Sequence, residues 1–470
     1  MNVLFVYPNF NGSEYISLGI AYLSSRLKKD GHNTKLLDLT FFRSLNDKPK
    51  IEEAISFSPD IIGISSTSVH FDYALEVGKY LKERCDAPVV LGGPQATVSP
   101  DRSISEKVID AICIGEGEEA LAALANSPER TDIPGLWLKK NGEIIKNSVA
   151  PLLEDLDKLP PPDAEIFDLD RYIQTRDYLL DFISTRGCPY SCSYCINEKY
   201  AGIYGSAWHK VRKHSVRYVV NAIKELKKNH PTIKAVDFRD DCFAADINWL
   251  KEFASVYPDE VGLDFTAHMR PELVTEEKCN LLLVSGCVAV KIGTESGADT
   301  IRRNILNRPM SDRQLENAFK IIKQAGMNAF SFNMFGLPHE RPSDIMSTLK
   351  LNRKVQPDFF SFNIFQPYGG THLRSMCIED GLLDPNKKVP DDIHTKTILK
   401  QKQLPPIVVR FFYVFAGPIV FFPMHPIKSV LWVIKTSTKP LHGISRVIFP
   451  KWLKRYLWHT MYYKPFTKVK

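Results

Sequence analysis

The last 78 residues of the chain, 393–470, contain no Asp or Glu. They carry 14 Lys and Arg, whereas residues 1–392 carry 47 basic and 54 acidic residues, so the net charge of +7 divides into +14 and −7. The basic character is therefore confined to one end of the chain. The many aliphatic and proline residues of this segment argue against a nucleic-acid partner, which charge alone would allow.

The sequence also lacks two features of secreted and membrane-spanning proteins. No basic, apolar leader precedes residues 2–7, which form a strand-like run, so we expect an intracellular protein. The apolar segment 411–427 has 17 residues without a formal charge, but it is short for a membrane span and contains three prolines. A clean transmembrane helix is therefore not expected.

Residues 184–195 give the clearest indication of a metal site in the sequence, but they lack a fourth cysteine. Cys188, Cys192 and Cys195 follow an apolar run, 178–183, and are separated by three and then two residues. Thiolates select iron–sulfur clusters, zinc or copper(I), and closed zinc or ferredoxin sites need four ligands, so three thiolates leave one position open. Two alternatives are a zinc knuckle with a distant fourth ligand and three core thiols packed as small apolar groups.

The remaining cysteines are scattered. The total of nine is odd, and without a secretory leader it favours reduced thiols and a metal site over a disulfide framework. Core packing is the expected role of the other six, which are Cys85, Cys113, Cys242, Cys279, Cys287 and Cys377.

The spacing Cys-x3-Cys-x2-Cys, with Tyr194 before the last cysteine, resembles the signature of radical S-adenosylmethionine (SAM) enzymes. In that family the three cysteines hold a [4Fe–4S] cluster whose open iron chelates SAM, and one electron then releases a 5′-deoxyadenosyl radical. The resemblance implies Cys188, Cys192 and Cys195 as metal ligands. It also implies an electron donor of the flavodoxin or ferredoxin type.

Strands and helices alternate after the cysteines and predict a partial (β/α) barrel, whose strand ends would carry the active site. Motifs at these ends resemble the SAM-contacting positions of the same family: Asp-Asp-x-Phe from 240, Gly-x-Glu-Ser from 293 and Gly-Leu-Pro from 336. A solvated Asp pair and a Glu beside a helix cap are the alternatives. The predicted SAM contacts are Tyr194, Asp240, Asp241, Glu295, Ser296 and Gly336.

The first 135 residues also alternate between strands and helices, which predicts a doubly wound parallel sheet with ligand-binding loops at its strand ends. The loops at 65–67, 92–94 and 115–117 offer small side chains. In order and spacing, these motifs resemble the cobalamin-binding domain that precedes many radical SAM domains. The implied cobalamin contacts are Ser65, Thr67, Gly92, Gly93, Gly115 and Gly117.

One departure from that domain concerns the loop after the first strand. Many cobalamin domains place a cobalt-ligating histidine there, but residues 8–13 contain none. We therefore expect cobalamin without a histidine ligand, and the alternative is a domain that has lost cobalamin.

Four segments are predicted, and together they define an α/β protein. Residues 1–135 form a Rossmann-like cobalamin-binding domain, 136–175 a linker with a hairpin turn at Asn141-Gly142, and 176–383 the radical SAM partial barrel. Residues 384–470 form a basic, aromatic, mainly helical extension, in which seven aromatic residues between 432 and 463 alternate with Lys and Arg. This mixture is typical of helices at an anionic membrane surface, and a helical cap on the barrel is the alternative.

The resemblance implies a cobalamin-dependent radical SAM enzyme. The expected function is a methyltransferase acting on an unactivated carbon of a hydrophobic or membrane-associated small molecule, located in the cytoplasm at the inner face of the membrane. An oxidative cyclase or carbon–carbon coupling enzyme is the first alternative. A non-catalytic cobalamin or iron–sulfur sensor is the second.

Overall fold

A computed structural model describes residues 1–10, 14–42, 48–390 and 396–422. The strands are β1 (Asn2–Tyr7), β2 (Asn33–Asp38), β3 (Ile61–Ser65), β4 (Val89–Gly92), β5 (Ala111–Cys113), β6 (Leu136–Lys140), β7 (Glu143–Lys146), β8 (Leu179–Phe182), β9 (Thr185–Arg186), β10 (Arg212–Lys213), β11 (Ala235–Phe238), β12 (Asp264–Met269), β13 (Cys287–Glu295), β14 (Asn328–Phe335) and β15 (Phe359–Ile364).

The helices are α1 (Leu18–Lys29), α2 (Lys48–Ile55), α3 (Phe71–Lys82), α4 (Pro94–Val98), α5 (Pro100–Ser105), α6 (Glu118–Asn126), α7 (Leu169–Thr175), α8 (Ile196–Tyr204), α9 (Ser206–His209), α10 (Val216–Asn229), α11 (Ile247–Glu260), α12 (Glu276–Val284), α13 (Asp312–Gln324), α14 (Pro342–Val355), α15 (His372–Glu379) and α16 (Pro406–Phe421). These elements form two compact units. The first comprises residues 1–176, 195–214 and 368–372, and the second comprises the described residues among 177–194, 215–367 and 373–470.

The first unit is built on a sheet with the order β2-β1-β3-β4-β5-β6-β7. Strands β1 to β5 are parallel, and the antiparallel hairpin β6–β7 extends one edge. The order reverses between β1 and β3, which is where open α/β sheets bind ligands. Val3, Leu4, Phe5 and Val6 of β1 are all buried, as expected for a strand covered on both faces.

The second unit contains an all-parallel sheet with the order β15-β14-β13-β12-β11-β8. Strands β11 to β15 are each followed by a helix, and neighbouring strands pair in chain order, as in a partial (β/α) barrel. The ring of Phe238 in β11 packs on Phe253 and Tyr257 of α11, which identifies the outer face of the sheet. Residues that alternate with these outward side chains face inward.

Helix α16 is part of the core of the second unit. Its side chains Val409 and Ala416 are fully buried, and Phe421 stacks on Phe360 of β15 with ring centroids 4.5 Å apart. No helix in the described part of the chain is long and apolar enough to cross a membrane.

The predicted α/β class, with a doubly wound sheet and then a partial barrel, is confirmed. Residues 136–175, which we expect to link the domains, contain the hairpin β6–β7 with its turn at Asn141-Gly142, and they lie within the first unit. The four domain boundaries stay predictions. The aromatic residues predicted to lie at a membrane surface, Trp432, Phe449, Trp452, Tyr456, Trp458, Tyr462 and Tyr463, fall outside the described residues.

Candidate functional site

The three-cysteine loop begins directly after β9. Gly187 has φ +93°, a left-handed conformation that favours glycine, and it turns the chain into Cys188. Cys188 and Cys192 are buried, and the half-buried Cys195 is the N-cap residue of α8. Among the described residues, no group of three or more His, Cys, Asp or Glu side chains has a metal-binding arrangement, so ligation by the three thiols stays a prediction.

The surroundings of Cys188 and Cys192 favour negative charge on sulfur. The Cys242 thiol donates a hydrogen bond to Cys188, and this bond lowers the pKa of Cys188. Nη1 of Arg270 lies 3.1 Å from Sγ of Cys192, and Nη1 of Arg308 lies 3.5 Å from the same atom. Both arginines are buried. Cationic and hydrogen-bonding partners stabilise thiolates and anionic iron–sulfur clusters, so these donors fit the predicted cluster.

Glu295, a predicted SAM contact, has a strained backbone. Its φ is +62°, and it lies at a register shift between β13 and β14. Tyr194, another predicted contact, donates a hydrogen bond from its hydroxyl to Oε1 of Glu295 (3.0 Å). Burial raises the pKa of Glu295, while Arg308 and Tyr194 act in the opposite direction. Strain held by surrounding contacts is a frequent feature of ligand sites.

Ser296 holds the chain that follows Glu295. Its hydroxyl accepts a hydrogen bond from the backbone N–H of Ala298 (3.2 Å), and its carbonyl accepts one from Nη1 of Arg302 (2.8 Å). Arg302 is fully buried in a π-helical turn, Ile301–Ile305. Ser296 therefore positions the loop, and its predicted contact with SAM is not tested by this geometry.

Asp240 is tied to the chain segment that leads into the cysteine loop. Its Oδ1 accepts hydrogen bonds from the backbone N–H of Ser184 (3.0 Å), the Ser184 hydroxyl (2.8 Å) and the Thr185 hydroxyl (2.6 Å). Burial raises its pKa to about 6. Asp241 is exposed. The structure thus gives the two neighbouring aspartates different environments, and both stay predicted SAM contacts.

Gly336, also a predicted SAM contact, begins a tight loop that is closed by Glu340. Oε2 of Glu340 accepts hydrogen bonds from the backbone N–H groups of Gly336 (2.7 Å) and Leu337 (3.1 Å). Glu340 is fully buried, and its burial raises its pKa to about 8. This carboxyl group orders the loop in which the predicted contact lies.

The predicted cobalamin loops of the first unit differ in the space around their glycines. A Cβ atom built on Gly92 would have no atom within 4 Å, so open space adjoins the end of β4. A Cβ atom on Gly93, which has φ +81°, would lie 2.9 Å from the carbonyl oxygen of Ser66. Gly92 pairs with the small residue Ser65 of β3, and a role of Ser65, Thr67, Gly92 and Gly93 in cobalamin binding stays a prediction.

Gly115 has a local structural role. The Tyr204 hydroxyl would lie 1.8 Å from a Cβ atom at position 115, and it accepts a hydrogen bond from the backbone N–H of Glu116 (3.3 Å). A Cβ atom at Gly117 would meet only ordinary contacts, 3.4 Å away. A role of Gly115 and Gly117 in cobalamin binding stays a prediction.

The inner face of the partial barrel has a charged half in which charges are paired. Asp237 of β11 accepts hydrogen bonds from Lys291 Nζ (2.6 Å), Thr266 Oγ1 (2.6 Å) and Arg239 Nη1 (3.0 Å). Asp237, Thr266 and Lys291 are buried. The positive and negative side chains on this half of the inner face are therefore paired with each other.

The other half of the inner face is aromatic. His268 of β12 stacks on Phe332 of β14 with ring centroids 5.8 Å apart, and Phe330 lies 4.7 Å from Phe332. Burial and the charge of Lys291 lower the pKa of His268 to about 3, so its imidazole is neutral. The rings of His268, Phe330 and Phe332 thus form an uncharged aromatic surface on this half of the inner face.

Several of these residues were missed by sequence reasoning. Arg308 and Glu340 carry no sequence signal for their contacts, and Tyr204 lies in a helix without a motif. Cys242 was expected to be only a core thiol, but it contacts a predicted metal ligand. Its position inside Asp-Asp-x-Phe was the signal that could have identified it.

Two family models match the chain at the places where these sites lie. The model for the B12 binding domain matches residues 11–125, and the model for the radical SAM superfamily matches residues 182–351. A protein of Pyrococcus horikoshii described as "Uncharacterized methyltransferase PH0819" is 30% identical over 375 residues, which cover 78% of this chain and 79% of that protein. The chain belongs to the B12-binding radical SAM enzyme family.

Two further similarities agree with this membership. An anaerobic magnesium-protoporphyrin IX monomethyl ester cyclase of Rubrivivax gelatinosus is 25% identical, over 78% of this enzyme and 68% of its own length. The radical SAM methyltransferase TsrM of Kitasatospora setae, solved with cobalamin and a [4Fe–4S] cluster, superimposes with a TM-score of 0.67 at 20% identity, over 81% of this enzyme and 75% of TsrM. At this identity the superposition shows the shared fold.

Family membership confirms the predicted resemblance and the prediction of a radical SAM enzyme. The predicted cofactors, a [4Fe–4S] cluster, SAM and cobalamin, are confirmed as those of the family. The alternative of a non-catalytic sensor is not supported, because the chain belongs to a family of enzymes.

Proposed function

We propose that this enzyme is a cobalamin-dependent radical SAM methyltransferase that acts on an unactivated carbon of a hydrophobic small molecule. Methyl transfer is supported by the similarity to the methyltransferase of Pyrococcus horikoshii. The hydrophobic substrate is supported by the inner face of the barrel, where charges are paired and His268, Phe330 and Phe332 form a neutral aromatic surface. That inner face is the observation on which the substrate class depends.

The residues of the candidate site would have different roles in this reaction. Cys188, Cys192 and Cys195 would hold the cluster, and Tyr194 with Glu295 would orient SAM beside it. When bound, the cluster and SAM supply a carbon-centred radical and cobalamin supplies the methyl group. The buried inner face would exclude water from the substrate carbon.

Two partners complete the proposal. A low-potential donor of the flavodoxin or ferredoxin type would deliver the electron to the cluster. We also propose that the enzyme lies on the cytoplasmic face of the membrane, because a basic C-terminal segment without acidic residues is attracted to anionic lipid. A hydrophobic substrate could then be taken from the lipid phase.

An oxidative cyclase is the second candidate, and it is favoured by the similarity to the cyclase of Rubrivivax gelatinosus. The two candidates differ in product mass. Methylation adds one carbon for each turnover, whereas cyclisation adds none. Mass spectrometry of lipids and pigments from cells with and without the active enzyme distinguishes them.

The radical chemistry is tested with anaerobically reconstituted enzyme. Wild type should bind about four irons in a cluster and form 5′-deoxyadenosine from SAM. Replacing Cys188, Cys192 and Cys195 together by Ala should abolish both, whereas Cys85→Ala, which changes a thiol outside the loop, should change neither. An intact cluster in the triple variant would refute the ligand assignment.

A further inference from the structure

Helix α16 has two unlike faces. One face is buried on the barrel, as described for Val409, Ala416 and Phe421. The other face exposes Ile407 (75% exposed), Phe411 (52%) and Phe415 (40%), and the exposed C-cap residue Phe422 (59%) follows the helix. We define these four side chains as the apolar ridge. Ile407, Phe411 and Phe415 are four residues apart and therefore share one side of the helix.

The ridge is the main concentration of exposed apolar side chains in the part of the chain that the structure describes. The other exposed large apolar residues there are Ile144 in β7, Val284 in α12 and Tyr368 in the loop before α15. Single exposed apolar side chains are ordinary, whereas a cluster on one face marks an interaction surface.

The charges that are close to the ridge in the sequence indicate the kind of partner. Lys396, Lys400 and Lys402 are exposed just before α16, and Arg410 lies within it. No acidic residue occurs from 393 to the end of the sequence. An apolar ridge inside a basic segment is complementary to an anionic surface that also has an apolar layer beneath it.

We propose that the apolar ridge of α16 inserts into the interfacial layer of an anionic phospholipid bilayer. A second copy of the chain fits less well, because its own basic segment would face like charge. A nucleic acid would match the charge but not the exposed phenylalanines. The inference rests on the proposed membrane location and deepens it, since it assigns the apolar contact to three residues of α16 and its C-cap residue Phe422.

Vesicle sedimentation with the full chain tests the proposal. Wild type should sediment with vesicles of mixed phosphatidylcholine and phosphatidylglycerol, and part of this binding should persist in high salt, because apolar insertion is not screened. The variant Ile407→Ser, Phe411→Ser, Phe415→Ser should show a partition coefficient at high salt that is lower by about tenfold or more, from the loss of apolar area. The control Ile144→Ser, Val284→Ser removes apolar side chains elsewhere and should bind as wild type does.

A second measurement reports insertion directly. The emission of Phe411→Trp, after subtraction of the parent protein, should be quenched by brominated lipids, and that of Val284→Trp should not. Unchanged binding of the ridge variant, or no quenching of the tryptophan introduced by Phe411→Trp, would overturn the proposal. If wild type is a dimer and the ridge variant is a monomer, a second copy of the chain is the partner of the ridge. If the full chain binds nucleic acid but not vesicles, the proposal is also overturned.

The radical chemistry can fail independently of this proposal. The ridge variant should form 5′-deoxyadenosine at the wild-type rate, since its exposed side chains lie outside the candidate site. Loss of vesicle binding with retained SAM cleavage therefore supports the ridge. If wild type binds vesicles but does not cleave SAM, the proposed reaction is refuted, whereas the proposal that the ridge contacts the bilayer still holds.

Discussion

The guanidinium group of Arg270 is hydrogen-bonded to a predicted cluster ligand: its Nη1 lies 3.1 Å from Sγ of Cys192. The same guanidinium lies over the ring of Tyr190, 3.7 Å from its centroid, and pairs with Glu272 at 2.6 Å. These contacts hold the positive charge in place beside the sulfur. Hydrogen bonds and positive charge near cluster sulfurs stabilise the reduced, more negative state.

Arg270→Met should therefore lower the reduction potential of the cluster. We expect a shift on the order of 50 mV, since about 59 mV corresponds to a tenfold change for a one-electron couple. A redox titration followed by electron paramagnetic resonance measures it. The control Arg217→Met removes an exposed arginine paired with Glu260 on the outer helices and should leave the potential unchanged. Equal potentials in wild type and Arg270→Met would show that this contact does not tune the cluster.

Gly92 and Gly93 test two different requirements. Gly92 tests whether a ligand needs the open space beside it, and Gly93 tests whether the fold needs a left-handed backbone at that position. Gly92→Leu should change the free energy of unfolding by less than about 0.5 kcal/mol, as for other substitutions into open space, but should abolish cobalamin binding. Gly93→Ala should destabilise the fold by about 1 kcal/mol or more, because φ is +81° and its Cβ would meet the Ser66 carbonyl. Absorbance of bound cobalamin and denaturant unfolding measure the two effects.

Cobalamin binding by Gly92→Leu at the wild-type level would place the corrin elsewhere. If full-length wild type binds no cobalamin under reducing conditions, a cobalamin-free radical reaction replaces the proposed methyl transfer. In bound cobalamin, we expect a spectrum without histidine coordination, because residues 8–13 offer no imidazole.

Glu340 should make stability fall as pH rises. Burial raises its pKa from 4.5 to about 8 in the folded enzyme. Between these values the folded state retains a proton that the unfolded chain has released, so the unfolded state binds fewer protons and the free energy of unfolding decreases with pH. This contribution is fully present below pH 4.5 and is lost as pH approaches 8.

Glu340→Gln cannot titrate and should remove this dependence. The free energy of unfolding of the variant minus that of wild type should be more positive at about pH 8 than at about pH 5.5, by on the order of 2 kcal/mol. Urea unfolding at both values measures the difference. Glu252→Gln, on the exposed side of α11, is the matched control. A Glu340→Gln effect that is the same at both pH values would mean that the carboxyl is ionised in the folded state.

The parallel sheets could be predicted because their strands carry local patterns. The buried run of β1 and the alternation of strands with helices appear in short windows, and the three cysteines lie within eight residues. The contacts around the cysteines could not be predicted in the same way. Arg308 reaches Cys192 across 116 residues, and only the curled sheet brings them together. The strain at Glu295 likewise depends on a register shift that no sequence pattern indicates.

The first part of the C-terminal extension belongs to the core of the second unit, while the predicted boundary at residue 383 stays a prediction. The sequence alone predicts that an enzyme ending near residue 383 stays soluble and retains SAM cleavage. In the structure, Leu404, Val409 and Phe412 of the later segment are buried in a core with Phe362 and Ile364 of β15. Removal of residues 384–470 would uncover these strand residues.

We therefore predict different outcomes for two truncations. An enzyme ending after Phe422 keeps α16 and serves as the reference. An enzyme ending after Leu383 should lose at least about 3 kcal/mol, since several core side chains are removed at once and each contributes about 1.5–3 kcal/mol when fully buried. Denaturant unfolding compares the two proteins, and 5′-deoxyadenosine formation reports the site. A stable, active enzyme ending at Leu383 would show that α16 is not needed for folding or activity. The apolar ridge would then lie on a helix that the folded domain does not need.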